Sequence, residues 1–129
     1  MPPVHLPHRH GQPVEEFCAA APSVRDFQTV ADVFRQLGDA TRMRVFWLLC
    51  HGEECVINIS ALMEMSSPAV SHHLRSLKSA GLIVSRRDGK EVYYKAAASE
   101  TAALLHRAIE ELMSMVCPCA QPRRRDGNG

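Results

Sequence analysis

Aromatic residues are scarce: four Phe, two Tyr and one Trp make up 5% of a 129-residue chain that is 46% hydrophobic. A core of that kind is packed by Leu, Val, Ile, Met and Ala, a composition that favours helices. Long apolar runs are missing too. The longest, Val45 to Cys50, falls far short of the about 20 residues a membrane-spanning helix requires. No apolar stretch near the N-terminus matches a secretory signal. The expectation is a cytoplasmic protein with no membrane partner, and its five cysteines (18, 50, 55, 117 and 119) read as thiols rather than disulfides. Catalytic signatures are also absent. There is no nucleophile elbow, no phosphate-binding Gly loop, no His-Glu-x-x-His and no strand–helix alternation that would build an α/β pocket. No enzyme and no organic cofactor are expected.

A strong excess of either charge is lacking as well, since the total is only +1. The distribution is uneven, however. Ser67 to Lys95 holds six bases (Arg75, Lys78, Arg86, Arg87, Lys90, Lys95) against Asp88 and Glu91, a net of +4. A basic segment on a nearly neutral chain points to a localised anionic partner, although a solvated charged face has the same composition.

What is present is an ordered set of elements. Residues 1–22, rich in Pro and His (His5, His8 and His10 among them), have no helical or strand period and read as a flexible arm. Ser23 caps a helix with Phe27, Val30, Phe34 and Leu37 at 3-4-3 spacing, which Gly38 ends. Asp39 caps the next helix, Ala40 to Cys50, whose Val45, Phe46, Leu48 and Leu49 are assigned to the core with Cys50 among them, and His51-Gly52 stops it. Glu53 to Asn58 is a connection, and Ser60 opens a short helix through Met65. After a tight turn comes Ser66 to Gly81, with Val70, Leu74 and Leu77 on one face and Pro68, His72, Arg75 and Ser79 on the other. His73 falls toward the apolar side and reads as a packed histidine. From Leu82 to Lys95 the period changes to two, around an Asp88-Gly89 hairpin turn. Glu100 to Val116 is again helical, with Leu105, Ala108, Leu112 and Met115 at 3-4-3 spacing. The two terminal seams fit a dimer, and they fit packing on a monomer core equally well. Residues 117–129 carry Cys117-Pro118-Cys119 and a basic Arg123-Arg124-Arg125 tail that reads as disordered.

Helix, helix, helix–turn–helix, hairpin, helix is the order of a winged helix-turn-helix, a mainly α fold with a β-hairpin wing. The stretches Leu37 to Val45, Ser66 to Gly81 and Arg86 to Lys95 resemble the ArsR/SmtB family of winged-helix repressors, and the likeness covers residues 24–116. It implies a dimerising DNA-binding domain over residues 23–116, joined through its terminal helices. It further implies a homodimer on a palindromic double-stranded operator, released by an inducer that is most often a metal or metalloid ion. By position, Ser67, Pro68, Ser71 and His72 match base-approaching residues, and Arg86, Arg87 and Lys90 match the wing. Ser and His offer hydrogen bonds without bulk, Pro68 suits a thymine methyl, and Arg75 suits a phosphate.

The sensor is where the chain departs from the family's patterns. Thiol-sensing members carry Cys-x-Cys before the helix-turn-helix, but here Cys55 is followed by Val56 and Ile57. Zinc-type members carry Asp-x-His and a later His in the last helix, but here Ser99-Glu100-Thr101 and Leu112 stand in those places. His106 stands alone and reads as structural. The remaining donors are Cys55, Cys117 and Cys119, with Cys18 or the arm histidines assisting, a set suited to Zn(II), Cd(II), Pb(II), Cu(I) or As(III). Cys55 reads equally as core filler, and the terminal pair equally as a thiol oxidation or persulfide switch.

Overall fold

The computed structural model describes residues 7–8 and 18–117, so the expectations for His5, His10, Cys119 and the Arg123 to Arg125 tail lie outside the described residues. The chain divides into two compact units, Met1–Phe34 and Arg35–Gly129. Helix α1 (Val24–Gln36) begins in the first. Ser23 and Asp26 cap it reciprocally: the Ser23 Oγ accepts from the Asp26 amide at 3.1 Å and the Asp26 carboxylate from the Ser23 amide at 3.0 Å. No residue of α1 is buried, and Phe27, Val30 and Phe34 are all more than half exposed.

The second unit holds α2 (Ala40–His51), β1 (Glu54–Cys55), α3 (Val56–Met63), α4 (Ser67–Ser79), β2 (Ile83–Asp88), β3 (Glu91–Ala96) and α5 (Glu100–Val116). Asp39 caps α2, its carboxylate accepting from the Arg42 amide at 3.2 Å. Val45, Phe46 and Leu49 of α2 are buried, whereas Leu48 and Cys50 are only half-buried, so the core stripe is narrower than expected. Helix α3 starts at Val56 rather than Ser60 and ends at Met63 rather than Met65. Its N-cap, Cys55, makes no side-chain capping bond, and its start is set instead by β1, where Glu54 and Cys55 pair antiparallel with Tyr94 and Tyr93 of β3. The sheet therefore has three strands, in the order β1-β3-β2.

Helix α4 packs against both α2 and α3. Ser66 caps it by accepting from the Ala69 amide at 3.3 Å, and Pro68 sits in its first turn, where no helical N–H is required. At the other end Gly81 adopts φ +76°, the Gly81 amide reaches the Lys78 carbonyl and the Leu82 amide reaches the Leu77 carbonyl, both at 3.0 Å. That is the Schellman arrangement, closed by buried Leu77 and Leu82. His73 ties α4 to the start of α2. Its Nδ1 accepts from Arg42 Nε at 3.3 Å and lies 3.5 Å from the Asp39 carboxylate. Burial pushes the His73 ring below its ordinary pKa, and the charges of Arg42 and His72 add to that while Asp39 opposes it. The ring is therefore the neutral acceptor that Arg42 requires.

The hairpin turn lies one residue later than the sequence pattern indicates. Asp88 pairs with Glu91, leaving Gly89-Lys90 as the loop, with Gly89 at φ +63°. Gly at the first central position is the type II′ preference, whose twist suits the flanking strands. In α5, capped by Ser99, the buried stripe is Ala102, Leu105 and Ile109. Of the expected seam only Leu105 is buried, and Ala108, Leu112 and Met115 face outward.

Two outcomes follow from this packing. Glu64, between α3 and α4, holds φ +53° in the position glycine usually fills. Glu64→Gly should raise stability by about 0.5–1 kcal/mol, the left-handed penalty less the entropy of a new glycine, read as a higher urea midpoint. An unchanged or lower midpoint would show that the Glu side chain contributes more than its backbone costs. For His73 the unfolded chain takes up the proton first, near the ordinary value of 6.5. Its contribution is complete above that pH and is lost as the pH falls through and below it. Urea titrations between about pH 7.5 and 5 should show a stability slope that His73→Gln flattens.

Candidate nucleic-acid interface

Burial of Val70, Leu74 and Leu77 turns the other side of α4 to solvent, so Ser67, Pro68, His72, Arg75 and Ser79 are exposed and Ser71 is half-buried on the flank. Apart from Arg75, these side chains are small or compact, and no acidic side chain lies anywhere on α4. Such a face suits close approach to base edges in a major groove, which admits a single helix. The Ser67 hydroxyl is 3.2 Å from that of Ser60, which joins α3 to the start of the face. At the far end Lys78 Nζ donates to the Ser85 hydroxyl at 2.7 Å, joining α4 to the wing.

The three wing bases are not equivalent. Arg86 is exposed but paired within the chain: its Nε lies 2.9–3.0 Å from both Glu53 carboxylate oxygens, its Nη2 lies 2.6 Å from one of them, and its guanidinium sits 4.8 Å over the Tyr93 ring. The hydrogen bond from Arg86 holds the Glu53 carboxyl below its ordinary pKa, and the bond to Glu53 raises that of Arg86. Arg87, the next residue, projects to the opposite face of the strand, and both Arg87 and Lys90 are exposed. A sequence pattern gives the three bases equal standing because Glu53 lies 33 residues from its partner.

The sulfur donors are dispersed. Cys18 is exposed in the first unit; in the second, Cys55 is buried and Cys50 and Cys117 are half-buried. Burial, followed by the Glu110 charge, pushes the Cys50 thiol up to about 11, which removes it from thiolate chemistry at neutral pH. Among the described residues no group of three possible ligands includes a cysteine; the group that does form is His51, His106 and Glu110. His106 is therefore not alone. Its Nε2 and that of His51 each lie 3.1 Å from the Glu110 Oε1, to which Trp47 Nε1 also donates at 2.9 Å. Burial pushes the Glu110 carboxyl up, but the bonds from Trp47, His106 and His51 outweigh it and hold the group below its ordinary value. Half of this cluster has a sequence signal, the i,i+4 spacing of His106 and Glu110. His51 has none, because its place beside them depends on how α2 packs on α5.

Comparisons with known proteins agree with this geometry. A family model described as "Bacterial regulatory protein, arsR family" matches residues 39–85, which run from the α2 cap into β2. A transcriptional repressor SmtB homolog from Synechocystis is 34% identical over 112 residues, 87% of this chain and 85% of that protein. A cadmium resistance transcriptional regulatory protein, a CadC homolog from Staphylococcus aureus, is 39% identical over 81 residues, 62% of this chain and 67% of that protein. Among solved structures, a homodimeric winged helix-turn-helix DNA-binding domain from Mycobacterium bovis superposes with a TM-score of 0.65 at 30% identity, covering 75% of this chain and 93% of that one. Fold order, the exposed face of α4 and these likenesses agree: the chain belongs to the ArsR/SmtB family of winged helix-turn-helix transcriptional regulators.

Proposed function

We propose that the protein is a repressor that binds a palindromic operator as a homodimer and is released by a soft metal or metalloid ion at cysteine thiolates. The observation that carries the DNA half is the exposed face of α4, small, polar and basic, held at both ends by Ser66 and the Gly81 cap. In this reading Ser67, Pro68, Ser71 and His72 approach base edges, while Arg75, Arg87 and Lys90 meet phosphates. Arg86 supports the wing through Glu53 rather than meeting DNA directly. The apolar side chains left outward on α5 (Leu104, Leu112, Met115 and Val116) and on α1 (Phe27, Val30 and Phe34) support dimerisation through the terminal helices. Two reading helices then meet half-sites about 10 bp apart, or a multiple of that.

The inducer half rests on ligand chemistry. The relative from Staphylococcus aureus is a cadmium resistance regulator, and thiolates are the ligands that soft ions such as Cd(II), Pb(II), Cu(I) and As(III), or borderline Zn(II), prefer. Cys55 stands at the start of α3 and Cys117 at the end of α5. Completing a site between those elements calls on Cys119, Cys18 or a donor from the second protomer. Binding there favours a dimer whose helices no longer match the groove spacing, a coupling of about 1–3 kcal/mol in operator affinity.

Both halves have direct readouts. Fluorescence anisotropy on the protein's own upstream DNA should give log affinity falling linearly with log salt concentration. Lys90→Ala and Arg87→Ala should each reduce that slope by about one, and a slope unmoved by either would remove the wing from the interface. Cys117→Ser should bind DNA as the parent does and lose release by Cd(II), together with ultraviolet thiolate–metal absorbance. Release by oxidants with no such absorbance for any soft ion would replace the metal reading with a thiol switch.

A further inference from the structure

The His51, His106 and Glu110 cluster belongs to neither the DNA face nor the thiols. From its geometry we propose a second metal site within a single protomer, in which His51 Nε2, His106 Nε2 and a Glu110 carboxylate oxygen bind one borderline divalent ion of the Zn(II), Co(II) or Ni(II) class, fastening the end of α2 to α5. All three donor atoms lie within 4.8 Å of one another, and each histidine nitrogen is 3.1 Å from Glu110 Oε1. Ligands on a tetrahedral zinc at about 2.0–2.1 Å stand about 3.3 Å apart, so a small contraction or expansion of the cluster seats the ion.

The donor set defines the ion class. Two imidazoles and a carboxylate suit borderline ions with one coordination position left for water, whereas soft thiophilic ions gain nothing here. Both histidines present the same nitrogen, Nε2, to the centre, so an ion bound there would leave the ring proton of each on Nδ1. Support around the ligands is already in place. Trp47 Nε1 donates to the same carboxylate oxygen at 2.9 Å, and the His51 ring lies 4.6 Å from the Trp47 ring and 5.1 Å from that of His106, edge-on. Such outer contacts orient ligands and tune affinity. Access is provided by the His51 side chain, 48% exposed. Cavities of about 390 Å³ beside Trp47 and Glu110 and about 470 Å³ beside His106 flank the cluster.

The cluster holds its own reporter, because Trp47 is the chain's single tryptophan. Co(II) titrated into reduced, metal-free full-length protein should bind one ion per chain here, with visible d–d absorption, no sulfur-to-cobalt charge transfer from this site, and quenched Trp47 emission. His106→Gln and His51→Gln should each weaken that quenching titration tenfold or more, while Cys55→Ser and Cys117→Ser leave it unchanged. Circular dichroism of the histidine variants separates loss of ligand from loss of fold, and Glu110→Gln is the second test should either be unfolded. The site is overturned if Trp47 emission does not respond to Co(II), if the histidine variants titrate like the parent, or if the quenching disappears with Cys55 or Cys117. Failure of the thiolate sensor would leave this result intact, because the two are read by different variants and different bands.

Discussion

The structure depends on the burial of one face of α4. Val70 and Leu77 are wholly buried and Leu74 is 1% exposed, and each such side chain contributes about 1.5–3 kcal/mol relative to exposure. Because residues at i, i+4 and i+7 share a face, burying these three leaves Pro68, His72 and Arg75 no orientation but outward. The caps then set how far the face extends. Ser66 starts it, and the Gly81 turn ends it while redirecting the chain into β2. His73 fixes the rotation of α4 against α2 beside Arg42 and Asp39, and its hydrogen bond from Arg42 works only while the ring is neutral.

Charge is divided as firmly as apolar surface. Arg86, although exposed, is paired with Glu53 and lies over Tyr93, so the wing is braced to the segment before β1, and Arg87 and Lys90 are exposed beside it. The brace and the outward base are adjacent residues because successive side chains of a strand alternate in direction. The polar cluster around Glu110 is built from the last turns of α2 and the middle of α5 rather than from the reading face. In the proposed reading, binding of DNA and binding of ions occupy separate parts of one small fold, which is what a coupled regulator requires.

Much of this was legible in the sequence because it is local. The α4 seam and its Ser66 to Gly81 span, the caps at Ser23 and Asp39 and the span of α5 all follow from spacing within a few residues. What could not be read is long-range or lacks a signal. Strand β1 is two residues long, too short to show a period, and α3 begins at a Cys that makes no capping bond. In α5 two interleaved stripes satisfy the helical spacing, and only packing selects Ala102, Leu105 and Ile109 over the stripe through Ala108, Leu112 and Met115. The Arg86–Glu53 pair and the meeting of His51 with His106 and Glu110 join residues 33, 55 and 59 positions apart in sequence. The single-residue shift of the hairpin loop has a related cause: Asp88-Gly89 marks a turn, and the pairing of Asp88 with Glu91 decides where its centre falls.

The central claim is that the outward face of α4, together with the wing tip, is the surface that meets DNA. Amide chemical-shift mapping of the labelled protein, with and without its own upstream DNA, tests it most directly. The account requires the largest changes at Ser67, Ala69 to Arg75 and Arg87 to Lys90, with the second half of α5 little moved. Changes confined to the apolar faces of α1 and α5, with α4 silent, would contradict it.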